Sequence, residues 1–261
     1  MILLGACHCH VIARNDIHPN HESESAVVAT WNIGHFAKGR GFRSLISAND
    51  SQKKLAEFRT FVYDSIAADI LCVNEYSREF CRDSVKGTII AEDSIFKRFK
   101  DIKVFPQNKY VCNVIFSNKN LNQCIMLPFH YDDVDRIETN NRITWYYYTM
   151  SDISLGGEDV KLVCTHLIAN SERICQEQIR ELINVCDKYE KIIICGDMNT
   201  WNYSKFKDAG YTFANDGSIV TWPSKSYALD NIFVKGLKIS NVRVVKTDLS
   251  DHYAVVCSVS L

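Results

Sequence analysis

Apolar residues in this chain gather into short runs divided by polar and glycine-bearing stretches, and the runs follow two periods. Runs of strand length, rich in Val, Ile and aromatic residues, predict β-strands. They are "AVVATWNI" (Ala26 to Ile33), "DILCVNE" (Asp69 to Glu75), "VCNVIFS" (Val111 to Ser117), "RITWYYYTM" (Arg142 to Met150) and "VKLVCTH" (Val160 to His166). The "IIIC" run at Ile192 to Cys195, "LDNIFV" (Leu229 to Val234), "VRVV" (Val242 to Val245) and "YAVVCSV" (Tyr253 to Val259) continue the series. Leu55, Phe58, Val62 and Ile66 recur instead at helical spacing, as do Ile179, Leu182, Ile183 and Cys186 after Ser171, a suitable N-cap. Many strands with few, widely separated helices predict two sheets packed face to face with helices outside, which makes four layers.

The ends of the apolar runs carry the chemical signal. In "KIIICGDMNT" (Lys191 to Thr200), a strand fit for burial on both faces stops at Gly196, Asp197 and Asn199. Aspartate and asparagine are ordinary turn formers, so one such end says little. Here the first strand carries Asn32, the second ends on Glu75, the fifth on His166, a later one begins with Asp230, and "SDH" (Ser250 to His252) precedes the last. Six polar strand ends able to bind a metal or move a proton are poorly explained as turns alone.

Composition narrows the class. A chain of 261 residues with 46% hydrophobic side chains can bury a large core, and one domain from residue 26 to 261 is expected. Thirty basic residues against thirty-one acidic ones give a formal charge of −1, so any polyanion site must be local. No apolar run reaches the length that spans a bilayer. Among the eleven cysteines, Cys72, Cys164, Cys195 and Cys257 lie inside apolar runs, which predicts buried, reduced thiols. Residues 1–25 are read as a disordered leader, or as the remnant of a lipoprotein signal in which "LLGAC" would present Cys7 for lipidation. The location is accordingly cytoplasmic, or at the cell envelope if the start is truncated. In "CHCH" (Cys7 to His10), alternation sends the cysteines and histidines to opposite faces, which does not suit one metal ion.

The segments "TWNIGHF", "VNEY", "VCTHL", "CGDMNT", "LDNIFV" and "LSDHYAV" resemble, in this order, the motif series of the endonuclease/exonuclease/phosphatase superfamily with its deoxyribonuclease-I-like fold. The resemblance runs from Ala26 to the C-terminus. It implies an α/β, four-layer α/β/β/α sandwich with two mostly antiparallel sheets, and a Mg²⁺-dependent phosphodiesterase in which Mn²⁺ can substitute. Glu75 would be the main metal ligand, supported by Asn32 and Asp251, a set of oxygen donors suited to a hard ion. His252 would be the general base on water, with Asp230 on its other ring nitrogen. Asp197 and Asn199 would orient the water and phosphoryl oxygens, and His166 would donate a hydrogen bond or a proton. A histidine in "THL" resembles the deoxyribonuclease, sphingomyelinase, deadenylase-like and cytolethal-toxin branches more than the abasic-site endonucleases.

Further candidates for substrate contact are Arg142, Asn113, and Lys38, Arg40 and Arg43 in the loop "HFAKGRGFRS" after Asn32. The sequence departs from the family pattern at Asn74, where relatives usually carry glutamine, and at Asn231, where an aromatic or histidine is frequent. The second departure puts the shape of the leaving-group pocket in question. With no basic tail or long Lys/Arg run, the expected partner is a small phosphodiester or phospholipid headgroup in preference to long duplex DNA, bound by a monomer. The alternatives are a nuclease acting on DNA or RNA, and a scaffold that binds a phosphorylated ligand without turnover.

Overall fold

The computed structural model describes residues 23–34, 48–77, 98–108, 110–130, 137–139, 142–144 and 146–261. Strands β1 (Ser25–Asn32), β2 (Ile70–Ser77), β3 (Asp101–Pro106), β4 (Val111–Ser117), β13 (Lys238–Val245) and β14 (Ala254–Ser260) form one six-stranded sheet, in the order β13-β14-β1-β2-β4-β3. The second sheet contains β5 (Asn122–Pro128), β8 (Tyr147–Leu155), β9 (Glu158–His166), β10 (Ile192–Asp197), β11 (Thr212–Phe213) and β12 (Asp230–Lys235), in the order β11-β12-β10-β9-β8-β5. Both are mixed: β1 and β2 run parallel, as do β9 and β10, while the remaining pairs are antiparallel.

The expected run from Arg142 to Met150 is divided. Arg142–Thr144 forms β7 of a separate two-stranded sheet with β6 (Ile137–Thr139), and β8 begins at Tyr147. At the start of the first sheet, the carbonyls of Ser23 and Glu24 accept hydrogen bonds from Gly156 and Leu261, so ordered pairing already includes these residues of the expected leader.

Strand alternation sorts the core into three clusters. Ala26, Val28, Ile70, Cys72, Leu162, Cys164, Ile193, Cys195, Ile232 and Val255 fill the space between the sheets. The opposite face of the first sheet, with Trp31, Leu71 and Val256, packs against Leu55 and Phe58 of helix α1 (Ala48–Thr60) and against Val62 and Ile66 of the π-helical turn that continues it. Helix α2 (Glu172–Cys186), with Ile179 and Leu182, and helix α3 (Ser204–Asp208), with Phe206, cover the outer face of the second sheet at Val163, Ile194 and Phe233. Ser171 caps α2 by accepting a hydrogen bond from the Ile174 amide. Cys72 and Cys164 meet across the sheets with Cα atoms 6.5 Å apart and their sulfurs in contact. Among the described residues, Cys112, Cys124, Cys175, Cys186, Cys195 and Cys257 carry free thiols.

Candidate active site

The inward row of each central strand is apolar for most of its length, with Thr30 of β1 the exception, and turns polar at the same end of the sandwich. Ala26 and Val28 lead to Asn32, Ile70 and Cys72 to Asn74, Leu162 and Cys164 to His166, Ile193 and Cys195 to Asp197, and Val234 and Ile232 to Asp230. The registers bring these ends together. Asp197 pairs with His166 on one side and Asp230 on the other, and Asn32 pairs with Asn74 in the facing sheet.

Glu75 follows an inward residue and by simple alternation would face the α1 side. A break in the β2–β4 register between Val73 and Tyr76, with Glu75 at φ 54°, turns it toward Asn32 instead. A left-handed backbone at a non-glycine residue is strained and is held only by its surroundings. Asn32 Nδ2 donates to Asp197 Oδ2 at 2.9 Å and to Glu75 Oε1 at 3.4 Å, so one amide spans the two sheets. Asn74 spans them a second time: its Nδ2 donates to the Thr165 carbonyl and its Oδ1 accepts from the Asp197 amide, while the same Nδ2 donates to Asn113 Oδ1 within its own sheet.

Gly196 makes the close approach of β9 and β10 possible here. A Cβ on it would lie 1.9 Å from the Thr165 carbonyl oxygen, and its φ is 149°. This accounts for the glycine before Asp197 in "KIIICGDMNT".

The "SDH" segment is tied to β1. Ser250 Oγ donates to the Asn32 carbonyl and accepts from the His252 amide, while Trp31 Nε1 donates to the His252 carbonyl. His252 Nδ1 then lies 2.7 Å from Asp230 Oδ2 and 4.0 Å from Asp197 Oδ2. His166 Nε2 lies 3.7 Å from Asp197 Oδ2 and 3.9 Å from Glu75 Oε1, and its Nδ1 meets Gln107 Oε1 at 3.2 Å. The Asp251 carboxylate reaches over Gly34, where an added Cβ would meet its Oδ1 at 2.5 Å.

Electrostatics follow from this crowding. Burial pushes the Glu75 carboxyl up, opposed by His166 and His252. Burial likewise raises Asp230, against the pull of His252. For His252, burial alone would lower the pKa, but the charge and hydrogen bond of Asp230, with Asp197 and Asp251 behind, lift it to about 10. Among the described residues, the ion-pair partners of Glu75, Asp197 and Asp230 are histidines alone. A concentration of carboxylates with so little compensating charge fits a hard divalent cation. Asp197, Asp230 and His252 also offer donor atoms within 4.8 Å of one another.

The remaining sequence candidates fall in different places. Asn199, at φ 50°, donates its amide hydrogens to the Leu167 carbonyl and its backbone N–H to Asp197 Oδ1, which leaves its Oδ1 as the group able to face a ligand. Asn113 is buried behind the carboxylates as the partner of Asn74. Arg142 begins β7, and its side chain lies outside the described residues, as do Lys38, Arg40 and Arg43. Asn231 points away from the site: it is fully buried and exchanges hydrogen bonds with the backbone of Asn215.

Sequence reasoning missed three contributors. Gln107 orients His166, Thr221 Oγ1 accepts from the Leu229 and Asp230 amides, and the Trp222 ring stacks on His252 at 5.9 Å. A polar residue just after Pro106 and a "TW" pair before a proline were the available signals, and neither is specific.

The family model described as the Endonuclease/Exonuclease/phosphatase family matches residues 29–252, and the chain belongs to that family of phosphoester hydrolases. Its fold is similar to that of an endonuclease/exonuclease/phosphatase from Beutenbergia cavernae, at TM-score 0.67 and 17% identity over 91% of this chain and 72% of that one. It is similar also to humanized D. rerio TDP2, at TM-score 0.65 and 13% identity over 92% of this chain and all of that one. The human Nocturnin catalytic domain matches at TM-score 0.64 and 17% identity, over 91% of this chain and 95% of the domain. Among curated sequences, a UPF0294 protein of Vibrio vulnificus is 28% identical over 95 residues, so the match spans about a third of each chain, 33% of this one and 34% of the relative.

Proposed function

We propose that this protein is a divalent-metal-dependent phosphodiesterase, acting on small phosphodiesters through water activated by the Asp230–His252 pair. The observation that carries this reading is the 2.7 Å contact from His252 Nδ1 to Asp230 Oδ2, beside the carboxylates of Asp197 and Glu75. A protein that only held a phosphorylated ligand would have no need of a carboxylate behind a histidine at this point.

Glu75, Asn32 and Asp251 would hold the ion, Mg²⁺ or Mn²⁺. Bound there, it would supply Lewis-acid charge for the phosphoryl oxygens. The chain's own residues supply the rest. Asp230 fixes the His252 ring through Nδ1, leaving Nε2 to take a proton from water, and stabilises the imidazolium that results. That role needs a neutral imidazole, and positive charge among the carboxylates would offset the field that otherwise raises His252. Asp197 and Asn199 Oδ1 orient the attacking water. His166, held by Gln107, directs Nε2 toward the same space and donates a hydrogen bond to phosphate or a proton to the leaving oxygen. The formal charge of −1 favours a small phosphodiester or lipid headgroup over an extended duplex.

A panel of phosphoesters assayed with Mg²⁺ and with excess chelator tests this reading, with His252→Ala alongside. Loss of a general base should lower the rate on the order of 10²–10⁴-fold in a folded variant. Turnover near the wild-type rate would mean that another group is the base.

A further inference from the structure

Helix α2 carries a polar side chain in the middle of its apolar face. Cys175, Ile179, Leu182 and Cys186 line that face, and Gln178 sits among them, 1% exposed. Its Oε1 accepts a hydrogen bond from the Ile168 amide at 3.0 Å, while its Nε2 has no partner among the described residues. A buried amide left half unpaired costs free energy, and leucine would fill the position without that cost. What glutamine adds is one acceptor, placed on the turn that follows His166.

The tie falls where the sheet ladder has ended. Strand β9 stops at His166, so the Ile168 amide lies beyond it. Between them, Leu167 is bound to the neighbouring polar segment through both of its backbone groups: its N–H donates to the Asp197 carbonyl at 3.0 Å, and its carbonyl accepts from Asn199 Nδ2 at 2.8 Å. One helical turn before Gln178, Cys175 Sγ donates to the Met198 carbonyl at 3.1 Å, so the same face of α2 grips both polar segments. Gln107, from the loop after β3, meets the His166 ring at Nδ1, and Gln178 holds the backbone two residues further on.

Resting on the phosphodiesterase reading above, we propose that Gln178 is a positioning residue for His166: it sets the course of the chain after the histidine, and with it the place of Nε2 in the site. Without the Oε1 acceptor, the buried Ile168 N–H needs another partner, and movement of the turn is the way to supply one. His166 Nε2 stands 3.7 Å from Asp197 Oδ2 and 3.9 Å from Glu75 Oε1, and a displacement of about 1 Å in such a setting can cost on the order of 10²-fold in rate. Gln178 itself touches neither ion nor substrate in this account.

Amide hydrogen exchange and steady-state kinetics on the full chain test this together, with Gln178→Leu to delete the acceptor and Gln178→Glu to keep one at the same reach. Should the leucine variant fail to fold by circular dichroism, Gln178→Met removes the acceptor with a closer match in shape. Exchange at Ile168 should quicken about 10-fold in Gln178→Leu, the loss of one net hydrogen bond, and stay slow in Gln178→Glu. With Mg²⁺ and bis(p-nitrophenyl) phosphate, Gln178→Leu should lower kcat on the order of 10–10²-fold with KM little changed, and Gln178→Glu should keep most of the wild-type rate. In a His166→Ala background, Gln178→Leu should lower kcat no further, because the residue it serves is gone; a purely structural role would give additive losses. Unchanged kcat in folded Gln178→Leu, or the full extra loss in the His166→Ala background, would overturn the positioning role. Failure of the phosphodiesterase reading would look different: wild type would hydrolyse no phosphodiester while Gln178→Leu still quickened exchange at Ile168, and the role that rests on that reading would fall with it.

Discussion

Asn74→Ala is the substitution that bears most on how this site is built. Asn74 is almost fully buried and makes three hydrogen bonds, one to Asn113 in its own sheet and two that join the sheets, to the Thr165 carbonyl and from the Asp197 amide. Truncation leaves the buried Asp197 N–H without this acceptor and Asn113 Oδ1 without this donor. At roughly 1–3 kcal/mol for each of these two buried groups left unpaired, the loss should be about 2–6 kcal/mol. That is a large share of the roughly 5–15 kcal/mol by which a domain is stable. Urea unfolding should show a lower midpoint with an unchanged slope, because the surface exposed on unfolding hardly differs. Activity should fall as well, since the Asp197 backbone would no longer be held against the facing sheet. Asn74→Gln retains both chemical groups and should recover part of the stability. A loss below about 0.5 kcal/mol for the alanine variant, the usual range of a surface substitution, would refute the clamp.

Two further outcomes follow from the geometry. Gly196→Ala forces a Cβ to within 1.9 Å of the Thr165 carbonyl at a φ of 149°, so it should destabilise the protein by several kcal/mol, about 3 or more, measured as a fall in Tm against wild type; a melting point within a degree or two would contradict the register drawn for β9 and β10. In chelator, His252 is raised from 6.5 to about 10, so folding takes up a proton that the unfolded chain releases near 6.5; this stabilisation is complete below that pH and is lost as pH rises through about 10. Tm should therefore fall from pH 7 to 10 more steeply in wild type than in His252→Gln, and equal slopes would exclude the raised histidine.

Sequence pattern revealed those parts of the fold that are apolar on at least one face. The inward rows ending at Asn32, His166, Asp197 and Asp230 were legible because strand alternation carries straight into the site. The helices were legible from Leu55, Phe58, Val62 and Ile66 and from the Ser171 cap. Strands β3 and β5 were not: both lie at sheet edges, where β3 is half-buried throughout and alternates without a continuous apolar run, and β5 is mostly exposed despite its short run from Cys124 to Leu127. The break after Thr144 was hidden by continuous aromatic and β-branched residues that suit a strand on either side of it. Asn74 could be noticed as a departure, but its work depends on Thr165 and Asp197, which lie 91 and 123 residues away. The stack of Trp222 on His252 joins two separate segments, and no local spacing announces it.

The central claim is that the carboxylates at the polar end of the two sheets hold a divalent ion for phosphodiester hydrolysis. Hydrolysis of bis(p-nitrophenyl) phosphate should be measured as Mg²⁺ is titrated into chelator-stripped protein, for wild type and Glu75→Gln side by side. Wild type should be inactive in chelator and regain full activity with Mg²⁺, while folded Glu75→Gln should need far more Mg²⁺ and reach a lower plateau. Undiminished wild-type activity in excess chelator, or the same Mg²⁺ dependence in both proteins, would contradict it.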